Sequence, residues 1–255
     1  MKRRRMILGP VALLALATCA AADTNLFQQG LAAYQAGQFP RAAELFQRTL
    51  TADISEGALL NLGLAEWQRG HAGAAVLAWE RIVWLQPFQP AARANLRFAR
   101  RAAQLEAPDL TWYEIASTWL PANAWAWLMT GSLWGTLGLV TCVAIGRFRK
   151  SGWHQTLTAL GFAVFLLSVP PQLGVLTRAR LGVVLEADTP LRLTPTRAAE
   201  AAAWLRAGEM VRCRRTRGNY VLIRTSQGAG WVERSRLGLV CGAGASGASN
   251  APAAP

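Results

Sequence analysis

The sequence predicts a multi-domain membrane protein: an α-helical repeat pair, then two transmembrane helices, then a small all-β barrel. Three observations carry this. A helical motif recurs at a fixed offset early in the chain, two long uncharged apolar runs occupy its middle, and short alternating runs broken by glycine turns fill residues 182–240. The 255 residues leave room for about two folded domains. Eleven tryptophans exceed the needs of an ordinary core and suit a membrane interface.

Residues 1–22 read as an export signal. A basic start, Lys2 to Arg5, precedes the apolar run Met6 to Ala17, and Ala20-Ala21-Ala22 offers a cleavage site before Asp23.

The repeat lies in residues 25–105. "LFQQGLAAYQAGQFPRAAELFQRTL" aligns with "LLNLGLAEWQRGHAGAAVLAWERIV", so that Gly30 matches Gly63, Gly37 matches Gly70, Ala42 matches Ala75 and Phe46 matches Trp79, each 33 positions apart. Small residues at Gly30 and Gly63 let paired helices approach, and Gly37 and Gly70 fall where a turn needs positive φ. "AARANLRFARRAAQL" reads as a closing helix. The pattern resembles the tetratricopeptide repeat (TPR) family, a helix-turn-helix unit that needs stacked neighbours to bury its core. The resemblance implies a peptide- or protein-binding groove at Phe27, Leu31, Tyr34 and Gln35, then Leu60, Leu64, Trp67 and Gln68. Packing against the closing helix or the Trp112 segment is an equal alternative for each of them.

Residues 109–120, "DLTWYEIASTWL", predict an amphipathic interfacial helix with Trp112, Ile115, Ala116 and Trp119 on one face. The first span is predicted at 125–145, which at about 1.5 Å per residue reaches roughly 30 Å, the thickness of a bilayer core. The second is predicted at 156–176, with a kinked or irregular exit at Pro170-Pro171. The loop 146–155 carries Arg147, Arg149 and Lys150 and no acid, so it is placed in the cytoplasm. Both larger segments then face the periplasm of a bacterial inner membrane. Trp112, Trp119, Trp125, Trp127 and Trp153 mark the expected boundaries.

From 182 to 240 the order "DTPLRLTPT", "LRAGEMV", "GNYVLIRT", "GAGWVERSRL" resembles the bacterial SH3-like fold. Leu191, Val211, Tyr220, Leu222, Trp231 and Val232 are the expected core, with Trp231 as its large plug. Arg212, Arg214, Arg215 and Arg217 form the expected binding surface, with anionic wall polymer, an acidic partner or lipid headgroups as its ligand classes. Cys213 and Cys241, both outside in this topology, are the disulfide candidates. The small-residue tail 242–255 has no core to join.

No catalytic set, cofactor site or metal-ligand spacing is expected, and the chain is read as a non-enzyme. The net charge of +13 would suit nucleic acid, but the export signal argues against that partner. The order of signal, repeats, spans and SH3-like module resembles the TPR membrane proteins of aerotolerance operons, the BatE type. That resemblance implies a scaffold for protein–protein interaction in an envelope complex, linked to stress tolerance, with membrane-anchored von Willebrand-factor-A proteins as partners. The alternative is an envelope binder or sensor whose SH3-like module grips peptidoglycan or another anionic wall component.

Overall fold

Paired helices, a helical hairpin and an antiparallel sheet follow one another in the computed structural model, which describes residues 25–52, 54–106, 109–145, 152–225 and 228–241. The predicted signal peptide, most of the predicted loop and the tail lie outside the described residues. Helix α1 covers residues 25–35; α2 is Phe39–Ala52, α3 Glu56–Gln68, α4 Ala72–Leu85 and α5 Pro90–Ala102. These form two helix-turn-helix pairs and a closing helix. Gly37 and Gly70 take φ of 72° and 81° at the two turns, where a side chain would be strained. Trp79 and Phe46 are fully buried at equivalent places, and Gly63 lies so close to the Trp79 indole that a Cβ would collide with it.

Helix α6, Trp112–Ser117, is a short link between this domain and a long hairpin of α7, Ala122–Ala144, and α8, Gly152–Arg178. Both long helices are extended and apolar enough to cross a membrane. Their tryptophans Trp127 and Trp153 are exposed. The second helix continues through Pro170 and Pro171, where the sequence predicts an irregular exit. Packing overrides the local preference there: Ser168, Pro171, Gly174 and Val175 are buried, and α8 lies against α6 over this stretch.

The chain then forms β1 (Leu181–Val184), β2 (Thr189–Arg192), β3 (Ala201–Leu205), β4 (Met210–Arg217), β5 (Tyr220–Thr225), β6 (Gly228–Glu233) and β7 (Leu237–Leu239). They make one antiparallel sheet in the order β3-β2-β6-β5-β4-β1-β7. Gly218, at φ 57°, turns β4 into β5. The core of this domain is Val184, Leu191, Leu205, Val211, Val221, Ile223 and Val232. Leu191, Val211 and Val232 are as expected, but Tyr220, Leu222 and Trp231 are only half-buried. Leu222 pairs with Trp231, on the face opposite Val221, Ile223 and Val232. The side-chain period of a strand is two, so a one-residue error exchanges the faces.

The helical and β domains share a core. Leu59, Val76, Leu77, Trp79 and Ile82 form one apolar cluster with Leu181, Val183 and Val240. At Gly73 the first turn of α4 presses on the backbone carbonyls of Val184 and Leu185, leaving no space for a Cβ. We expect Gly73→Ala to loosen this contact and cost about 1–3 kcal/mol. Thermal unfolding should show it as a lowered midpoint, with no such change for Gly131→Ala, whose position is open. An unchanged midpoint for Gly73→Ala would mean that the domains do not pack in this way.

Candidate functional site

The polar groups converge where α6, α8, α4 and β4 meet. Glu114 is fully buried, at 0% exposure. Its helix begins at Thr111, whose backbone N–H and hydroxyl donate to Glu114 Oε2 at 2.8 and 2.9 Å. From the β domain Arg212 completes a two-pronged pair, with Nη1 on Oε1 at 2.6 Å and Nη2 on Oε2 at 2.7 Å. The same Nη2 donates to the Asp109 carbonyl at 2.7 Å. Burial works to raise the Glu114 carboxyl, but hydrogen bonds from Arg212, then from the Thr111 amide, Thr177 and the Thr111 hydroxyl, outweigh it and hold it at about 2. The same pair raises the Arg212 guanidinium, chiefly through its hydrogen bond to Glu114.

Ser117, one turn on, clasps both ends of the hairpin. Its hydroxyl accepts from Arg178 Nη1 at 3.0 Å and its carbonyl from Trp125 Nε1 at 3.2 Å. Arg178 also stacks over the Trp84 ring at 5.3 Å, tying α8 to α4. A second buried carboxylate, Glu80, pairs with Arg100, which also reaches Met210 Sδ at 3.7 Å. Burial dominates at Glu80 and raises its carboxyl despite the Arg100 and Arg178 charges.

Beside this junction a cleft of 720 Å³ lies between residues 104–113 and the β domain. Arg206, Arg214 and Arg224 line it together with Glu106, Asp109 and Glu209. No His or Cys is among its lining residues. Among the described residues there is no group of three or more metal-ligating side chains.

The predicted site residues divide. Phe27, Leu31 and Tyr34 are half-buried against the first helical cluster, and Phe27 meets Phe46 with ring centroids 5.8 Å apart. Leu60, Leu64 and Trp67 are half-buried against the shared core, and Trp67 meets Trp79 at 6.2 Å and Phe98 at 5.5 Å. All six therefore support the core and offer only part of their surface. Arg212 is not free surface: it is spent on Glu114, whereas Arg214, Arg215 and Arg217 are exposed. Cys213 and Cys241 are free thiols. Arg180 lies between them, bonded to Cys213 on β4, while Leu181 bonds Val240 beyond β7. Two strand spacings of about 4.8 Å exceed the reach of a disulfide. Burial pushes the Cys213 thiol up to about 11.

Glu114 itself was not foreseen as a site residue. Its local signal is the Thr111-x-x-Glu114 helix start, a capping-box pattern. Compared with protein-family models, curated proteins and solved structures, the chain matches none.

The pair predicts a defined acid response. Glu114 titrates at about 2 when folded and near the ordinary carboxylate value of 4.5 when unfolded. The stabilisation is therefore complete above pH 5 and is lost as pH falls through 4.5 toward 2. That gap corresponds to about 3 kcal/mol. We expect the unfolding midpoint of the wild type to drop over this window and Glu114→Gln to start lower with a shallower slope. Parallel curves would show that another carboxylate controls the acid response. Leu64→Asp should also lower the midpoint, because an unpaired charge would face the shared core. Retention of wild-type stability would instead make Leu64 groove surface.

Proposed function

We propose that the chain is a non-enzymatic, membrane-anchored scaffold whose TPR-like helical pair and SH3-like β domain act together in protein–protein interaction within an envelope complex. The observation that carries this reading is the direct packing of the two domains on each other and on one end of the α7–α8 hairpin. If α7 and α8 cross a bilayer, both domains lie on the same side of it, because Glu114 joins Arg212 across them and Ser117 holds both hairpin ends. The basic residues Arg147, Arg149 and Lys150 favour the cytoplasm for the connection between the spans, which directs the domains to the periplasm. A rigid two-domain platform suits a role in holding partners, and the resemblance to aerotolerance-operon proteins suggests membrane-anchored von Willebrand-factor-A proteins as those partners.

Reporter fusions after Leu105, Lys150 and Val240 test the topology, with outside, inside, outside as the expected result. A Val240 fusion reporting the opposite side from Leu105 would defeat the platform, since the shared core could not form across a bilayer. Crosslinking in the outer compartment then tests the scaffold: a membrane-anchored partner should be captured by the intact chain and lost on deletion of residues 25–105. Capture that survives this deletion would remove the helical pair from the binding role.

A further inference from the structure

We propose that the tip of the β4–β5 hairpin binds anionic phospholipid headgroups, with Arg214, Arg215 and Arg217 supplying the charge. The inference rests on the reading of α7 and α8 as membrane spans and goes beyond it by giving the β domain a lipid ligand.

Strand polarity brings the tip to the membrane. β1 begins only two residues after α8 ends at Arg178. It leads away from the hairpin along α4: Trp84 lies beside Arg178, whereas Gly73, at the other end of α4, lies beside Val184 and Leu185. β4 is antiparallel to β1, with Met210 opposite Val183 and Arg212 opposite Leu181. Cys213 N–H donates to the Arg180 carbonyl at 2.8 Å. Residues 214–217 therefore run back past the start of β1 toward the end of α8. The stretch to Arg217 covers about 13 Å at strand spacing.

The lengths agree with a headgroup contact. α8 has 27 residues, about 40 Å of helix, so it exceeds a hydrocarbon core of about 30 Å by about 10 Å. A strand returning about 13 Å beside that overhang reaches the polar surface of the bilayer. Helix α6, fixed to β4 through Glu114 and Arg212, presents Trp112 at 69% exposure and Ile115, and Trp119 just beyond its end is 64% exposed. Exposed aromatics at that level suit the interface.

Charge selects the ligand. Arg215 and Arg217 are exposed and form no ion pair among the described residues, in contrast to Arg212; Arg214 is also exposed and unpaired, at the edge of the cleft that Glu106, Asp109 and Glu209 line. On the next strand, Glu233 faces Tyr220 and is held by Asn219 Nδ2 at 3.0 Å. Guanidiniums free of ion pairs on the strand that Glu114 and Arg212 join to the exposed tryptophans match an anionic lipid surface better than a soluble wall polymer, which has no use for the apolar residues.

The test uses the full chain in lipid nanodiscs, with amide hydrogen exchange of residues 214–220 as readout. In discs of 30% phosphatidylglycerol we expect exchange slowed by about tenfold or more relative to pure phosphatidylcholine. High salt should reverse the slowing. Arg214→Gln/Arg215→Gln/Arg217→Gln should abolish it and the triple Lys variant should keep it. Equal exchange in both lipids overturns the inference while leaving the spans intact. Failure of the chain to enter discs at all overturns the membrane reading as well. Equal slowing by soluble polyphosphate in phosphatidylcholine discs would reassign the tip to a free polyanion and also overturn it.

Discussion

The buried carboxylate of Glu114 is the constraint on which the arrangement depends. It sits on a six-residue helix too short to hold a position by itself. Yet that helix touches both ends of the hairpin and, through Arg212, the β domain. A carboxylate at 0% exposure must have its oxygens satisfied, and the four hydrogen bonds it accepts from Arg212 and Thr111 do so. Those donors come from two distant parts of the chain. Burying the charge is therefore tolerable only when the β domain is docked.

Such a pair contributes more to geometry than to net stability. Taking both ions from water offsets much of their attraction, and an apolar substitute of similar shape could be as stable. The apolar part of the junction is already supplied by Leu77, Trp79 and Ile82 against Leu181, Val183 and Val240. Each such side chain contributes about 1.5–3 kcal/mol when fully buried. What that cluster does not fix is direction, because apolar contacts are non-directional. The two-pronged Arg212 contact sets the rotation of β4 over α6. Arg178 on Ser117 and Trp84 does the same for the end of α8.

Much of this could be read from the sequence, for reasons visible in particular residues. The matched pairs Gly30/Gly63 and Phe46/Trp79 announce the helical pairs because each repeat must solve the same packing problem. The two apolar helices are equally plain, since length and absence of charge suffice. The β faces were legible only in part. "YVLIRT" is apolar at Tyr220, Val221, Leu222 and Ile223 in succession, so alternation does not say which pair faces inward. Tyr220 and Leu222 are accordingly exchanged with Val221 and Ile223. Glu114 and Arg212 lie 98 positions apart, and no local pattern connects them. The capping sequence announced where a helix begins and nothing about its partner.

Pro170-Pro171 shows how packing changes the meaning of a local signal. Two missing N–H groups leave the carbonyls of Leu166 and Leu167 without helical donors, which on local grounds favours a break. Instead the residues change role at this point. Leu166 and Leu167 are exposed, as side chains facing lipid would be, whereas Ser168, Pro171, Gly174 and Val175 are buried. Gly174 lies so close to the Tyr113 carbonyl that no side chain would fit. The compact prolines and the glycine make a low surface on which α6 can settle, and this brings Glu114 within reach of Thr177. A bulkier helix face would hold α6 farther out and separate Glu114 from Arg212. The feature that looked like the end of a span is therefore part of the seat for the ion pair that unites the chain.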